Sequence, residues 1–389
     1  MKKIPKILVL VETSREYARG ILSGLAQYSQ IHGPWMFVSS LPFYLNASED
    51  QTTSAWIDTL GIDGIILQAR FITDRIRQLG VPLITLDANT DFEDIPKIYT
   101  NDQGIGRIAA DHLMERGFSH YAFCGFDHLV WSKLRGESFK KTVEDAGHHC
   151  DIYQQPEQPT PQLWAQDYLV IIEWLNTLPR PLGLMACNDD RGQYILEACK
   201  VAGYAIPEEI AVVGADDDQL RCRFAAPPLS SVSLNLEKAG YETAELMDKL
   251  LHGQAAHDIV VDPKWVVCRQ STDIIAVDDA DVSQALRFIR EHGTGVIQVS
   301  DVVQALCISR RTLYSKFSKA LGRSVHDEIV RVRLERIHTL LTDTKLSISW
   351  IAEMMGFAGP DKLYRFFFRE TGKTPTEFRK EIQGYKLDS

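Results

Sequence analysis

The chain has 389 residues, with 42 Lys and Arg against 52 Asp and Glu, and 45% of its residues are hydrophobic. This composition is typical of a globular protein and excludes a disordered or collagen-like chain, and the length predicts two or three domains. The seven cysteines are scattered and form no CxxC pair. They therefore argue against a disulfide framework or a zinc site and favour a reducing cytoplasmic environment.

The N-terminus carries a short apolar run, Ile7–Val11, which is ended by Glu12. Five residues are too few for a secretion signal, which needs about 7–15 apolar residues. No later segment approaches the roughly 20 apolar residues that a membrane-spanning helix needs. We therefore predict that the run is a buried first strand of a cytoplasmic protein with no membrane partner.

Short apolar runs rich in β-branched residues alternate with amphipathic segments as far as residue 275. The runs predict strands over Ile7–Val11, Gly64–Leu67, Pro82–Leu86, Tyr121–Cys124, Leu182–Ala186 and Ile210–Val213. The segments predict helices over Arg15–Tyr28, Gly104–Arg116, Glu137–Ala146, Trp164–Leu175 and Gly192–Ala202. Such alternation indicates a doubly wound parallel sheet, in which ligands bind at the carboxyl ends of the strands.

Polar side chains follow most of these predicted strands. They are Glu12–Arg15, Gln68, Arg70, Asp87, Asn89, Asn188–Arg191 and Asp216–Asp218, with the aromatic residues Tyr17 and Trp131 nearby. Carboxylates and an arginine can each make two hydrogen bonds to vicinal hydroxyls, and an aromatic face can cover the C–H side of a sugar ring. The pattern predicts a polyhydroxylated ligand. The alternative for each position is a simple helix N-cap.

One segment, Gly104–Ala109, fits the GxGxxA pattern of a dinucleotide-binding turn. The fingerprint requires the first strand-helix turn and, about 20 positions later, a strand that ends in an acidic residue. This segment meets neither requirement. The chain also contains no GxxxxGK[ST], HExxH or GxSxG motif. We therefore predict no cofactor, no metal and no catalytic residue.

A series of short motifs spans about 270 residues in a fixed order. They are Tyr99–Asp102, His112-Leu113, Gly117-Phe118, Arg135, Asn188-Asp189, Val212–Asp217 and Pro227–Val232. In order and spacing these motifs resemble the sensor domains of the LacI/GalR family. The resemblance implies an α/β two-lobed, periplasmic-binding-protein-like sensor, with crossover strands between the lobes and a sugar in the cleft.

The same resemblance implies particular ligand contacts. The family's ligand-contacting arginine falls on Arg135 and its aspartate on Asp189, while Asp216 or Asp217 lies in another ligand-facing loop. Together with the strand-end and aromatic residues, the predicted sugar site consists of Glu12, Tyr17, Asp87, Trp131, Arg135, Asn188, Asp189, Asp216 and Asp217. The chain departs from the family because no helix-turn-helix precedes the first strand, so a DNA-binding region, if there is one, must lie elsewhere.

Charge is distributed unevenly along the chain. Residues 283–389 contain 18 Lys and Arg against 12 Asp and Glu, a net charge of +6, whereas residues 1–282 have a net charge of −16. A local basic face is typical of nucleic-acid binding, although a solvated surface is the simpler alternative. An acidic stretch, residues 277–282, lies immediately before the basic segment. We predict a sensor over residues 1–276, a linker over 277–282 and a DNA-binding domain over 283–389.

The basic segment has the pattern of a first helix-turn-helix unit. Ser300 can cap a helix that ends at Leu306, and Ser309 can cap a second helix over Arg310–Leu321. Apolar residues four apart, Leu313 and Phe317, predict the buried face. The free face then presents side chains suited to phosphates and base edges, namely Arg310, Arg311, Thr312, Ser315 and Lys316.

The arrangement recurs farther along the chain. Ser347 can cap Ile348–Met355, and Pro360 can open a helix that ends at Glu370, with Asp327–Leu341 as a long helix between the two units. The exposed residues predicted to contact DNA in this second unit are Asp361, Lys362, Arg365 and Arg369. Two recognition helices on a rigid connector can enter successive major grooves about 34 Å apart on double-stranded DNA. The alternative for either unit is a plain helical hairpin.

The motifs of this segment resemble an AraC-type DNA-binding domain over about 100 residues. They are Ser309–Leu313, Phe317, Gly322, Arg333-Leu334, Leu340-Leu341, Ile348, Ile351-Ala352, Gly356-Phe357, Phe367, Gly372–Pro375 and Phe378-Arg379. The chain departs from the pattern at Ser315, where many relatives have arginine, and at Leu363 and Phe368, where phenylalanine and lysine are usual. The predicted fold is thus a two-lobed α/β sensor followed by an all-α domain with two helix-turn-helix units.

A LacI-type sensor followed by an AraC-type domain resembles regulators of pentose catabolism in enteric bacteria. The resemblance implies a homodimer that binds a sugar effector, D-xylose, and activates promoters through RNA polymerase. A regulator of the same architecture for a different sugar is the alternative closest to this prediction. A sugar-processing enzyme and a sequence-independent nucleic-acid-binding protein are the alternatives from other classes.

Overall fold

The computed structural model describes residues 4–39, 61–86, 92, 94–155, 163–274, 276–277, 279–293, 295, 297–344 and 346–385. The chain divides into two compact units, Met1–Asp273 and Ile274–Ser389. No helix within these described ranges is both long enough and apolar enough to span a bilayer.

The first unit contains two main sheets, each at the centre of one lobe, of which the first is parallel and the second largely parallel. In lobe 1 the strand order is β2-β1-β3-β4, formed by β1 (Lys6–Leu10), β2 (Met36–Ser39), β3 (Gly64–Leu67) and β4 (Leu83–Thr85). Helices α1 (Glu16–His32) and α2 (Asp74–Gln78) belong to this lobe, and β5 (Ile98–Thr100) pairs with β11 (Ile259–Val261) beside it. The strands β1 and β3 are almost wholly buried, as expected for a sheet covered on both faces.

Lobe 2 has a six-stranded sheet in the order β12-β10-β9-β8-β6-β7, in which only the β10–β12 pair is antiparallel. The strands are β6 (His120–Cys124), β7 (Cys150–Ile152), β8 (Leu182–Ala186), β9 (Ile210–Ala215), β10 (Ser230–Leu234) and β12 (Pro263–Val267). The helices are α3 (Asp102–Met114), α4 (Val130–Asp145), α5 (Leu163–Thr177), α6 (Asp189–Ala202) and α7 (Gln219–Phe224). The two-lobed α/β sensor is thereby confirmed.

The chain crosses between the lobes three times. It passes from β5 into α3, from β10 into α8 (Leu236–Leu251), which packs on α1, and from β11 into β12. The crossings are hydrogen-bonded to one another, because Asp262 Oδ1 accepts from Asn101 Nδ2 at 2.9 Å and its carbonyl accepts from the Asn235 N–H at 3.0 Å. Asp262 thus joins all three crossings.

The second unit is helical throughout the part that the structure describes. Its helices are α9 (Ala280–His292), α10 (Val299–Leu306), α11 (Arg310–Leu321), α12 (Val325–Asp343), α13 (Ile348–Met354), α14 (Pro360–Thr371) and α15 (Pro375–Tyr385). Two pairs, α10–α11 and α13–α14, form the helix-turn-helix units. The predicted all-α domain is confirmed.

The helix caps agree with the prediction in two places and differ in one. Ser309 accepts the N–H of Thr312 at 3.1 Å, and Ser347 accepts that of Trp350 at 3.2 Å. The predicted cap at Ser300 is wrong, because α10 begins at Val299 and Gln298 caps it in a capping box with Asp301.

The acidic stretch at residues 277–282 is only partly a linker. Asp279 accepts the N–H groups of Asp281 and Val282 and so caps α9, which begins at Ala280. Its last three residues are therefore helical, and Val282 is fully buried. An acidic residue before a helix stabilises the helix N-terminus through its hydrogen bonds and through the dipole.

Candidate functional site

Arg135 lies at the centre of a buried charged cluster in lobe 2. Its Nε donates to Asp102 Oδ1 at 2.9 Å, its Nη1 donates to the carbonyl of Cys187 at 2.7 Å, and its Nη2 lies 3.1 Å from Asp216 Oδ1. The guanidinium is 4.9 Å from the centre of the Trp131 ring, and only 3% of the residue is exposed. Burial tends to lower the pKa of Arg135, but the Asp216 and Asp102 carboxylates raise it overall, so the arginine stays charged.

The close approach of two helices positions Arg135. A side chain at Gly106 would place its Cβ only 2.3 Å from the carbonyl oxygen of Arg135, so glycine allows α3 and α4 to pack backbone against backbone. That contact brings Asp102, in the first turn of α3, within reach of the guanidinium. The GxGxxA segment therefore lies within a helix and serves helix packing.

The three aspartates that follow β9 point to three different partners. Asp216 pairs with Arg135, Asp217 accepts from Arg269 Nη2 at 2.7 Å, and Asp218 caps α7. Asp216 and Asp217 have φ angles of 97° and 51°, in the left-handed region that a residue other than glycine seldom adopts. Such strain is found mostly at functional sites, where the surrounding contacts hold it in place.

Asp189 stabilises the loop Asp216–Asp218 through hydrogen bonds. Its Oδ1 accepts from the Ser231 hydroxyl at 2.5 Å and its Oδ2 accepts from the Asp218 N–H at 2.7 Å, while 2% of the residue is exposed. Burial and the nearby Asp216 carboxylate raise the pKa of Asp189 well above its usual value. Both oxygens are engaged by the protein, so the contacts described hold the loop, and a direct ligand contact by Asp189 stays a prediction.

Three of the remaining predicted sugar-site residues, Asn188, Glu12 and Tyr17, form hydrogen bonds away from Arg135. Asn188 is half-buried and caps α6 by accepting the Arg191 N–H at 3.0 Å. Glu12 is exposed and accepts the Ser14 N–H at 3.0 Å, which lowers its pKa. Tyr17, half-buried, donates to the carbonyl of Ile98 at 3.3 Å, and Asp87 lies outside the described residues. Their contacts with a ligand stay predictions.

Ion pairs connect the two lobes of the sensor. Asp190 of lobe 2 lies 2.6 Å from Arg15 Nε of lobe 1, and 3.2 Å from Arg221 of its own lobe. Asp218 accepts from Arg19 Nη2 and from the Glu16 N–H, both at 2.9 Å. The loop Asp216–Asp218 is therefore hydrogen-bonded to α1 through Asp218, whose own N–H donates to Asp189.

The two helix-turn-helix units in the second domain repeat at an interval of 50 residues. Leu313 and Phe317 are fully buried in α11, and Leu363 and Phe367 are fully buried at the equivalent positions of α14. The same alternation of exposed and buried residues runs through residues 311–320 and 361–370. Both recognition helices therefore present the same face outward.

Eight of the nine predicted DNA contacts are exposed, namely Arg310, Arg311, Thr312, Ser315, Asp361, Lys362, Arg365 and Arg369. Two of these arginines have local partners, since Arg310 lies over the Tyr314 ring and Arg369 Nε donates to Glu370 at 2.6 Å. Arg311 and Arg365 have no ion-pair partner among the residues that the structure describes. They are the arginines best placed to bind phosphates or base edges.

Comparison with known proteins assigns both domains. A periplasmic binding protein-like domain matches residues 110–272, and a helix-turn-helix domain matches residues 302–381. The xylose operon regulatory protein of Haemophilus influenzae is 32% identical, with 96% of this chain and 98% of that protein covered. The chain belongs to the xylose operon regulatory protein family. It is a sugar-responsive, DNA-binding transcription regulator.

Two further comparisons agree over nearly the whole length of the regulator. The xylose operon regulatory protein of Escherichia coli K12 is 28% identical, with 96% of each chain covered. The solved structure of a xylose-binding transcription activator superposes with a TM-score of 0.78 at 27% identity, covering 97% of this chain and 98% of that one.

Lys316 is the predicted DNA contact that differs from the others. It is half-buried, and its Nζ lies 2.6 Å from Asp281 Oδ2 and 3.0 Å from Asp279 Oδ2. The ammonium group of Lys316 is therefore paired with two carboxylates of its own domain.

Sequence reasoning also missed contacts in the sensor. Arg269 and Arg19 hold two of the three loop aspartates, and Asp102 holds Arg135, yet none of the three was among the predicted site residues. Their partners lie between 33 and 199 positions away in the chain. Of these three residues, only Asp102 had a signal in the sequence, because it belongs to the motif Tyr99–Asp102. Among the described residues, no group of three or more His, Cys, Asp or Glu is arranged to hold a metal ion.

Proposed function

We propose that the effector is D-xylose, bound in the cleft around Arg135, and that the regulator activates genes of pentose catabolism. The Arg135 cluster is the observation that carries this proposal. An arginine held between two carboxylates, with an aromatic ring 4.9 Å away, supplies donors, acceptors and an apolar face within one small region. Those are the groups that a ring bearing several hydroxyls requires.

The proposed contacts divide according to where each residue lies. Arg135, Asp216, Trp131 and Asn188 would bind from lobe 2, with Asp189 and Asp217 holding the loop behind them. Glu12, Tyr17 and Asp87 would close the site from lobe 1. Binding across both lobes favours the conformer in which they are joined, and only such differential affinity lets a ligand shift a conformational equilibrium.

We further propose that the regulator acts in the cytoplasm as a homodimer that recruits RNA polymerase and performs no chemistry on the sugar. The relatives are transcription regulators, which supports the absence of turnover. An exposed apolar pair on α7 supports the dimer, because Leu220 is 58% and Phe224 is 71% exposed. A two-fold related copy would remove such side chains from water.

Calorimetric titration of the full-length regulator tests the effector. We expect saturable binding of D-xylose, weaker or no binding of L-arabinose, D-ribose and D-glucose, and recovery of unchanged sugar after the titration. Binding of a different sugar alone would contradict the choice of D-xylose while keeping the site. Formation of a product would favour the enzyme alternative.

The ion pair between Arg19 and Asp218, one of the two that connect the lobes, gives a second prediction. Replacing Arg19 by methionine removes the pair with Asp218 and the local bonds of Arg19 to Glu16 and to the Thr13 carbonyl. It leaves the Asp218 cap and the bond from the Glu16 N–H to Asp218 in place. Asp218 is buried but Arg19 is about one-third exposed, so water screens the pair from the Arg19 side. Taking about 1 kcal/mol for such a pair, we expect D-xylose affinity to fall about fivefold. Arg77→Met is the matched control, since Arg77 pairs with Asp94 inside lobe 1. Equal affinities for both variants and the wild type would show that this ion pair does not favour the bound state.

A further inference from the structure

One recognition helix is tied to the beginning of its own domain. Lys316 of α11 contacts both Asp279 and Asp281, which cap and begin α9. The three side chains are each about one-third exposed, at 35%, 33% and 35%. The contact is therefore open to water but uses both carboxylates that the first turn of α9 offers. While it is made, Lys316 is not free to neutralise a DNA phosphate.

The internal repeat indicates that this position faces the body of the domain. Phe366 stands 50 residues after Lys316, at the equivalent place in α14. Its ring packs against Phe357, with ring centres 5.5 Å apart, and against the Arg333 guanidinium, also at 5.5 Å. A side chain at this position thus points inward, away from the exposed face that carries Arg311. A lysine there needs partners, and the two aspartates supply them.

The two carboxylates lie close to the point where the chain enters the second domain. The division between the compact units falls between Asp273 and Ile274, so Asp279 comes six residues after it. Asp279 also accepts the N–H groups of Asp281 and Val282. One residue therefore contacts the first turn of α9 and the recognition helix at the same time. The described residues just before α9, namely Ile274, Ala276, Val277 and Asp279, are here called the connector. Because Asp279 contacts Lys316, a displacement of the connector acts on α11.

We propose that Lys316 is a positioning residue, which transmits the position of the connector to recognition helix α11, and that it is not a DNA contact. Sugar binding alters the sensor, the connector moves with it, and the carboxylates pull or release Lys316. The sugar then changes DNA affinity because α11 is held differently in the two states. This inference rests on the sugar response of the regulator, and it adds the residues that carry the signal into the DNA-binding domain.

The test compares DNA affinity with and without saturating D-xylose in the full-length regulator. The probe is a duplex that the wild type selects from a random-sequence library, and binding is measured by fluorescence anisotropy. Lys316→Met keeps an unbranched apolar side chain. In this variant we expect the sugar-induced change in DNA affinity, given as the ratio of the affinities with and without D-xylose, to be about two- to fivefold smaller than in the wild type. The salt dependence of binding should stay as in the wild type, because no phosphate contact is lost.

The aspartate variants make the test independent of this one substitution. Asp279→Asn keeps a good helix cap while removing the charge, and Asp281→Asn is its isosteric companion. We expect the Asp279→Asn/Asp281→Asn pair to lose the same part of the sugar response, with Lys316→Met adding nothing further in that background. If Lys316→Met impairs folding, judged by its melting curve, the Asn pair alone decides the outcome.

Two results would overturn the proposal. Lys316→Met could weaken DNA binding equally with and without sugar and reduce the salt slope by about 0.9, as loss of a phosphate contact requires. Alternatively, the Asn variants could strengthen DNA binding, as expected if they only release a lysine for DNA. Lys319→Met, on the exposed side of the same helix, is the matched control. A wild type whose DNA affinity ignores D-xylose would instead contradict the proposed effector.

Discussion

Replacing Arg135 by methionine is expected to abolish measurable D-xylose binding and to lower the free energy of unfolding of the sensor by about 3–5 kcal/mol. The substitution leaves the carboxylate of Asp102, which is 6% exposed, and that of Asp216 without their common cation. Removal of one partner from a buried ionic cluster is costly because the remaining charges keep their desolvation penalty. Calorimetry gives the affinity, and urea unfolding gives the stability.

Two further variants separate the site from the fold. Arg135→Lys retains the charge but cannot bridge Asp102, the Cys187 carbonyl and Asp216 at once, so we expect weakened sugar binding with a smaller loss of stability. Arg180→Met is the matched control, because Arg180 stacks on Tyr204 and precedes β8, at the end of the sheet opposite the cleft. Arg135→Met that still binds D-xylose like the wild type would place the sugar elsewhere.

The sequence predicted that polar residues follow the strands, but it could not predict how their charges are paired. Asp216, Asp217 and Asp218 are consecutive, and any of them could have faced a ligand. Their directions are set by two left-handed backbone conformations and by Arg135, Arg269 and Arg19, which come from three separate elements. Nothing local distinguishes the three residues, because each role depends on a tertiary neighbour.

The start of α4 shows how a hydrophobic pattern can mislead. The predicted helix begins at Glu137, whereas the observed one begins at Val130. The missing turns bury Ser132 and Arg135 in place of apolar residues, so their periodicity is weak. With those turns in place, Trp131 and Arg135 stand four residues apart on one face, which accounts for the contact between ring and guanidinium.

The four helices of the helix-turn-helix units and the long helix between them were predicted to within a few residues, because strong caps and apolar spacing are local signals. The helices α9 and α15 were not predicted. Helix α11 has the predicted bounds, and Ser309 and Ser347 cap as expected. The role of Lys316 was beyond such reasoning. Its carboxylate partners lie 35 and 37 positions earlier, and spacing along α11 alone does not reveal that they approach it.

Arg311→Ala and Arg365→Ala are each expected to weaken binding to a selected duplex by about 1–3 kcal/mol, or roughly 5- to 150-fold. Each arginine is exposed on a recognition helix, and the described residues offer it no carboxylate partner, so the guanidinium is available to the nucleic acid. The affinity for D-xylose should be unchanged, since both positions belong to the second compact unit. Fluorescence anisotropy measures the first quantity and calorimetry the second.

The double variant distinguishes two recognition helices from one. If both helices contact DNA, their losses should add as free energies, because residues on separate elements without shared partners act independently. If only α11 contacts DNA, Arg365→Ala should behave like the control Arg287→Ala, an exposed arginine of α9 that pairs with Glu291. Affinities within twofold of the wild type for both single variants would contradict the assignment of these exposed faces to DNA. A loss of sugar affinity instead would contradict the division of labour between the two domains.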